Sequence, residues 1–261
     1  MRLRLSQGQL NALTLCPRKF QHLYLDQLGF PPTPEQQERM TWGSRFHLLM
    51  QQCQLGLPID STIGSSEAMQ HCITALQQAA PDLFQSNTAS RQAEHRRTLE
   101  FEGYLLTVIY DLLILDEQQA QILDWKTYPR PQDPRRLTKD WQTRLYPFLL
   151  SETSNYKPDQ ISMTYWFVQA GEGETPQPQS LQFSYRSQTH QQIEQDLKRL
   201  LNQLTLWLQQ YEAGEPLPQV DPAKQICQFC PFIRRCQRDY LNTPDSTSSL
   251  AALAAIEEVA L

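Results

Sequence analysis

With 261 residues, 40% of them hydrophobic, the chain can bury a sizeable core, and its length fits one large α/β domain as well as two smaller ones. A net charge of −5 excludes a globally basic nucleic-acid-coating protein but leaves room for a local basic groove. No apolar run is long enough to cross a bilayer, and "MRLRLSQGQL" has no apolar signal-peptide core, so the expectation is a cytoplasmic protein that does not engage membranes.

In chain order, residues 6–28 carry Leu10, Leu13, Phe20, Leu23 and Tyr24 at helical spacing behind a Ser6 N-cap, which predicts one helix. "GFPPTPEQ" breaks it, and a second helix is expected over about 36–55, carrying "WGSRFHLLM". A third covers about 65–80. From residue 92 the texture changes to "AEHRRTLEFEGYLLTVIYDLLIL", two strands with a turn near Gly103. The polar turn "DEQQAQ" leads to a third strand, "ILDWKT", and the proline-rich "YPRPQDPRR" follows. "TKDWQTRLYPFLLSE" reads as a helix begun by Thr138 and disturbed by Pro147. Strands at 161–169 and 180–186 precede a long helix over 188–213, which Gly214 and Pro216 stop. Residues 227–240 read as a compact turn and helix. "NTPDSTSS" is a linker, and "LAALAAIEEVAL" is a frayed tail or a partner-docking helix. Helices, then strands, then helices indicate an α/β fold with a mixed central β-sheet flanked by helices.

The chemistry concentrates in "YDLLILDEQQAQILDWKT", residues 110–127. Asp124 and Lys126 are two apart in a strand and share a face, with Trp125 on the other. A hairpin brings Asp111 alongside them. Two adjacent carboxylates repel. A hard divalent cation relieves that conflict, and Mg²⁺ takes carboxylate oxygens and water. Metal, water and lysine together suit phosphodiester hydrolysis. The plain alternative is two aspartates capping strand ends beside a solvated lysine. His47 is either a hydrogen-bonded core residue or an imidazole ligand suited to Mn²⁺. Gln142 and Tyr146 are four apart and share one helix face.

Six cysteines in a reducing compartment do not read as a disulfide frame. Cys53 and Cys72 stand among apolar and glutamine residues as core thiols. Cys227, Cys230 and Cys236 form a compact trio, with Cys16 far off in sequence, and four thiolates suit either Zn²⁺ or an iron–sulfur cluster.

Five segments, in order, resemble the PD-(D/E)XK nucleases of the RecB-like branch. "VIYDLLILDEQQAQILDWKT" is similar to their catalytic hairpin, and "LSQGQLNALTLCPRKFQHLYL" to their opening helix. "WGSRFHLLM" resembles their Gly-x-x-x-His segment, "WQTRLYPFLL" their Gln-x-x-x-Tyr motif, and "CQFCPFIRRC" their Cys-x2-Cys-x5-Cys end. One position departs: where that branch often has a glycine three residues before the strand aspartate, this chain has Val108. The family's upstream glutamate is left open among Glu94, Glu100, Glu102 or none of them.

The resemblance implies a restriction-endonuclease-like core over residues 1–241, including cluster-binding ends at 1–28 and 225–241, with 242–261 as linker and tail. It implies Mg²⁺ or Mn²⁺ on His47, Asp111 and Asp124, with Lys126 acting on the attacking water and Gln142 and Tyr146 supporting substrate. It implies a [4Fe–4S] cluster on Cys16, Cys227, Cys230 and Cys236, with Zn²⁺ as the alternative, as in AddB-type and CRISPR-associated adaptation nucleases. The implied activity is a metal-dependent deoxyribonuclease acting on single-stranded DNA ends or flaps in repair or recombination. The competing reading is a non-catalytic DNA-binding or scaffold subunit that keeps fold and cluster. No Gly-x-x-x-x-Gly-Lys phosphate loop is present, so any helicase partner is another chain. The run Arg130, Arg135, Arg136 and Lys139 is best placed to hold a phosphate backbone, and Trp141 is either a stacking platform or core.

Overall fold

Glu102 and Gly103 both take left-handed backbone, with φ of 49° and 80°, and so turn the chain back between β2 (Ser90–Phe101) and β3 (Tyr104–Leu115). Positive φ at both loop positions is the hairpin turn whose twist matches the flanking strands. Glycine adopts it without steric penalty, so the expected turn at Gly103 forms. The pairing runs from Phe101↔Tyr104 to Ser90↔Leu115. In the next turn Asp116 Oδ1 accepts from the N–H groups of Gln118 and Gln119, both at 2.8 Å, and the chain returns as β4 (Ala120–Lys126), antiparallel to β3.

The structure is a computed structural model that describes residues 3–57, 67–84, 89–131, 133–168 and 177–238. These form two compact units, one from residues 3–4 and 32–196, the other from 5–31 and 197–238.

In the first unit β5 (Ile161–Phe167) lies parallel to β4, and the connection runs through α5 (Trp141–Glu152), because a parallel pair needs a crossover. β6 (Gln179–Ser184) returns antiparallel to β5. With β1 (Arg4–Leu5), the strand order is β1-β3-β4-β5-β6, with β2 also on β3. The sheet is therefore mixed and flanked by helices, as the sequence indicated.

One sheet face carries α3 (Pro34–Gln54) and α4 (Glu67–Ala79), whose Phe46, Leu49, Met50, Met69, Ile73 and Leu76 pack with Leu112, Ile114, Leu123 and Trp125. Cys72 lies in this core and Cys53 packs against it, and burial pushes both thiols up. α5 supplies the buried residues Leu145, Tyr146, Phe148 and Leu149, and the Tyr110 hydroxyl donates to the Tyr146 carbonyl at 3.0 Å. Val108, at the position where the resembled branch often has glycine, is buried to 1% exposure, so its side chain fills core space.

Two helix starts differ from expectation for local reasons. α3 starts at Pro34, because Thr33 caps it in a reciprocal pair with Gln36 and proline suits the first helical position. α5 is capped by Asp140, which accepts from the Gln142 N–H at 2.7 Å, whereas Thr138 lies in a preceding 3₁₀ segment (Pro134–Lys139). Pro147 sits inside α5 without ending it.

In the second unit the predicted 6–28 helix is three pieces: α1 (Gln7–Leu15), α2 (Pro17–Phe20) and a π-helical turn over Gln21–Leu25. Cys16 breaks it with extended backbone (φ −161°), as the residue before a proline tends to be. Ser6 does cap α1, its N–H donating to Gln9 Oε1 at 2.8 Å. α6 (Ser187–Glu212) runs from the first unit into the second and ends at Gly214, whose φ of 93° needs glycine. The helix expected within 227–240 does not form among the described residues, where 3₁₀ segments at Pro222–Lys224 and Ile226–Phe229 are followed by turns. The linker and tail over 242–261 lie outside the described residues. No helix among the described residues is long and apolar enough to cross a membrane.

Candidate active site

The catalytic-looking residues sit where strand alternation changes face. On β3, Tyr110 reaches α5, yet Leu112 and Ile114 belong to the core with α3 and α4. Residues two apart in a regular strand face the same way, so β3 switches at Asp111. Its neighbour on β2, Glu94, takes φ 50°, a left-handed conformation uncommon for a residue with a side chain, and the pairing register passes over both residues. Such strain concentrates at functional sites.

This distortion gathers a donor set. Ligand atoms of His47 on α3, Glu94 on β2 and Asp111 on β3 all lie within 4.8 Å of one another. His47 Nδ1 is 3.4 Å from Asp111 Oδ1. Burial, then the Asp111 carboxylate, push the Glu94 carboxyl up to about 7, and His47 partly offsets this. A buried acid pair without a cation is expected to favour the protonated form. One imidazole and two carboxylates are donors that suit a hard or borderline divalent ion such as Mn²⁺ or Mg²⁺. The set fits a divalent ion and contains two of the three expected ligands, His47 and Asp111; Asp124 lies outside it, and of the acids left open upstream it is Glu94 that lies inside it. Glu100 and Glu102 are exposed and outside it.

A second charged group adjoins the first. Asp124 and Lys126 share one face of β4 and are 2% and 4% exposed. Lys126 Nζ lies 2.8 Å from Asp124 Oδ2 and donates to Gln142 Oε1 at 2.8 Å. Gln142 Nε2 donates to Asp124 Oδ1 at 2.6 Å. A lysine this buried needs both a counter-charge and hydrogen bonds, and it has them. Asp111 links the two groups, because its Oδ2 accepts from the Trp125 N–H at 2.7 Å. Tyr146, one turn along α5 from Gln142, is 3% exposed, and its phenol is held well above the usual tyrosine range by burial and then by Asp124 and Asp111. The structure thus brings His47 and Asp111 together in one group and Asp124, Lys126 and Gln142 in the other, with Tyr146 buried beside them. Glu94, which joins the first group, stands apart only through its backbone conformation, a signal that the sequence does not carry.

Gly43, four residues before His47, has a packing reason. A Cβ there would stand 3.2 Å from Thr127 Oγ1, so glycine lets α3 approach the end of β4.

In the other unit, Cys16, Cys227, Cys230 and Cys236 line one pocket with Lys19 and Arg238. The thiols are unbridged. Arg238 Nη1 donates to Cys227 Sγ at 3.3 Å. Burial pushes Cys230 and Cys236 up, and their thiol neighbours add to it. Four soft sulfur donors in one pocket have the chemistry of a thiolate metal site.

The basic residues divide. Arg97 is tied to the Thr153 carbonyl at 2.8 Å and Arg18 to the Leu217 carbonyl at 2.6 Å. Arg130, Arg135, Arg136 and Lys139 are exposed. Trp141 is buried at 2% exposure under the Arg144 guanidinium, 4.1 Å from its ring centroid, so of the two readings it takes the core one.

No curated protein sequence matches the chain. Among solved structures, a candidate exonuclease from Eubacterium rectale superposes with a TM-score of 0.54 at 11% identity, over 97% of this chain and 94% of that one. SSO0001 is more distant, with a TM-score of 0.40 at 14% identity over 90% and 86%. The first similarity is one of fold. A profile of the PD-(D/E)XK nuclease superfamily matches residues 4–237, a span that contains the acid pair, the lysine and all four pocket cysteines, and the chain belongs to that superfamily.

Proposed function

We propose that this protein is a metal-dependent deoxyribonuclease of the RecB-like branch that hydrolyses phosphodiester bonds at single-stranded ends or flaps. The observation that carries the reading is the Asp111 carboxylate, shared between His47 and the Trp125 N–H, which sets the His47–Glu94–Asp111 donors beside the Asp124–Lys126–Gln142 group. A divalent ion, when bound, polarises a phosphoryl oxygen and acidifies the attacking water. His47, Glu94 and Asp111 would hold it, with Asp124, the carboxylate of the adjoining group, as a further candidate ligand. Lys126, fixed by Asp124 and Gln142, orients the water or offsets charge that develops on the phosphate. Gln142 holds lysine and aspartate in one geometry, and Tyr146 walls the site. The exposed run Arg130, Arg135, Arg136 and Lys139 follows the catalytic strand and holds the DNA backbone. The four pocket cysteines would hold a [4Fe–4S] cluster with a structural role, clipping chain segments that lie some two hundred residues apart.

The test is incubation of anaerobically purified protein with end-labelled single- and double-stranded DNA, with and without Mn²⁺. Mn²⁺-dependent cutting that Lys126→Ala abolishes is expected. Equal cutting by that variant overturns the mechanism, and DNA binding without any cutting moves the protein to the role of a binding subunit.

A further inference from the structure

We infer that Tyr128 is the surface on which the nucleobase next to the scissile phosphate stacks, and that this ring gives the site its preference for unpaired strands; the inference rests on the nuclease reading above. Trp141, the aromatic residue that the sequence offers for this task, is buried under Arg144. Tyr128 is exposed, at 37%, and follows the catalytic lysine by two residues. Its ring centroid is 5.9 Å from Lys126 Nζ, so a phosphate held by that amine carries its own base into reach of the ring. The ring is also held in place. It packs edge-on against Phe167, with centroids 5.8 Å apart and planes at 67°, and Phe167 is itself buried at 2% exposure. Pro129 restricts the Tyr128 backbone to extended conformations. A preset platform loses little freedom on binding. Stacking needs an unpaired base with an open face, which a duplex does not present, and it tolerates any base. The exposed Arg130 two residues on continues the same strip with a phosphate-binding charge.

The alternative is that Tyr128 serves only to hold Lys126 through its ring face. The two are separated by measuring KM and kcat of the full-length protein with Mn²⁺ on a single-stranded oligonucleotide. The same oligonucleotide is also used with an abasic residue beside the cut. Tyr128→Ala is expected to raise KM about five-fold or more, from the usual range of base–aromatic stacking, and to do so far more than it lowers kcat. Tyr128→Trp restores KM. The abasic substrate weakens the parent to the same extent and leaves Tyr128→Ala no worse. A fall in kcat with KM unchanged, or equal abasic penalties in parent and Ala variant, overturns the inference. If the parent cuts no DNA, the nuclease reading itself falls. Fluorescence anisotropy with the same intact and abasic strands then decides whether Tyr128 stacks a base.

Discussion

The acid site and the thiol pocket each gather several potential metal donors, carboxylates and an imidazole in one and thiols in the other, but they are assembled in opposite ways. The acid site draws Asp111, Asp124 and Lys126 from a single hairpin, where the Asp111 carboxylate accepts from the Trp125 N–H just beyond the paired residues, and adds His47, Glu94 and Gln142 from neighbouring elements. The thiol pocket draws Cys16 and Cys236 from positions 220 residues apart, and they meet only once residues 5–31 and 197–238 have packed as one unit. The acid site also holds its charges in check internally: Lys126 faces Asp124, and Gln142 bridges them. In the thiol pocket the charged lining residues are Lys19 and Arg238, of which Arg238 donates to Cys227 Sγ. A group bound across such remote thiols would close a long loop, which removes the most chain entropy from the unfolded state, as the proposed staple requires.

The comparison can be broken most decisively at Lys126. Lys126→Ala is expected to reduce Mn²⁺-dependent cutting on the order of 10²-fold or more, with circular dichroism confirming that the sheet remains. It also leaves Asp124 buried without its counter-charge, so a lower Tm accompanies the loss. On the other side, Cys236→Ser should strip iron and sulfide from anaerobically purified protein and lower Tm by about 10 °C, as expected for losing roughly 4 kcal/mol of ligand-linked stability. Iron and sulfide at parental levels in that variant would remove the thiol pocket as the cluster site.

Glu94 sharpens the account of the acid site. Glu94→Gln is expected to raise the Mn²⁺ concentration needed for half-maximal cutting about 10-fold or more, while Glu100→Gln does not change it. An equal response from the two would return the upstream acid to an open question. The smallest effect belongs to Gly43→Ala. The new methyl must displace Thr127 Oγ1 from 3.2 Å, so a loss of about 1 kcal/mol in chemical denaturation is expected. A more stable variant would mean that Thr127 yields easily.

Much of the strand framework is written locally. Alternation and the Gly103 turn locate β2 and β3, and the run to Lys126 locates β4, because each signal lies within a dozen residues. Helix starts are less legible. Thr138 and Asp140 are both acceptable caps, and the choice of Asp140 depends on how the chain leaves β4. The break at Cys16 was readable from Pro17, but the helical spacing on both sides masks it.

The sequence by itself determined the hairpin that presents Asp111, Asp124 and Lys126, because strand periodicity and turn chemistry are properties of neighbouring residues. It also set Cys227, Cys230 and Cys236 apart as a compact trio, whereas joining Cys16 to them, in place of Cys53 or Cys72, rested on the family resemblance and on the pocket that all four line. Only the tertiary structure decided that Glu94 joins His47 and Asp111, since its left-handed backbone is uncommon in a strand and is held there by the surrounding sheet and helices. The same holds for the two aromatic residues beside the site. Trp141 and Tyr128 both follow the Asp124–Lys126 strand closely, yet Trp141 is buried under Arg144, whereas Tyr128 rests against Phe167 and stays exposed, a difference that packing and not sequence sets.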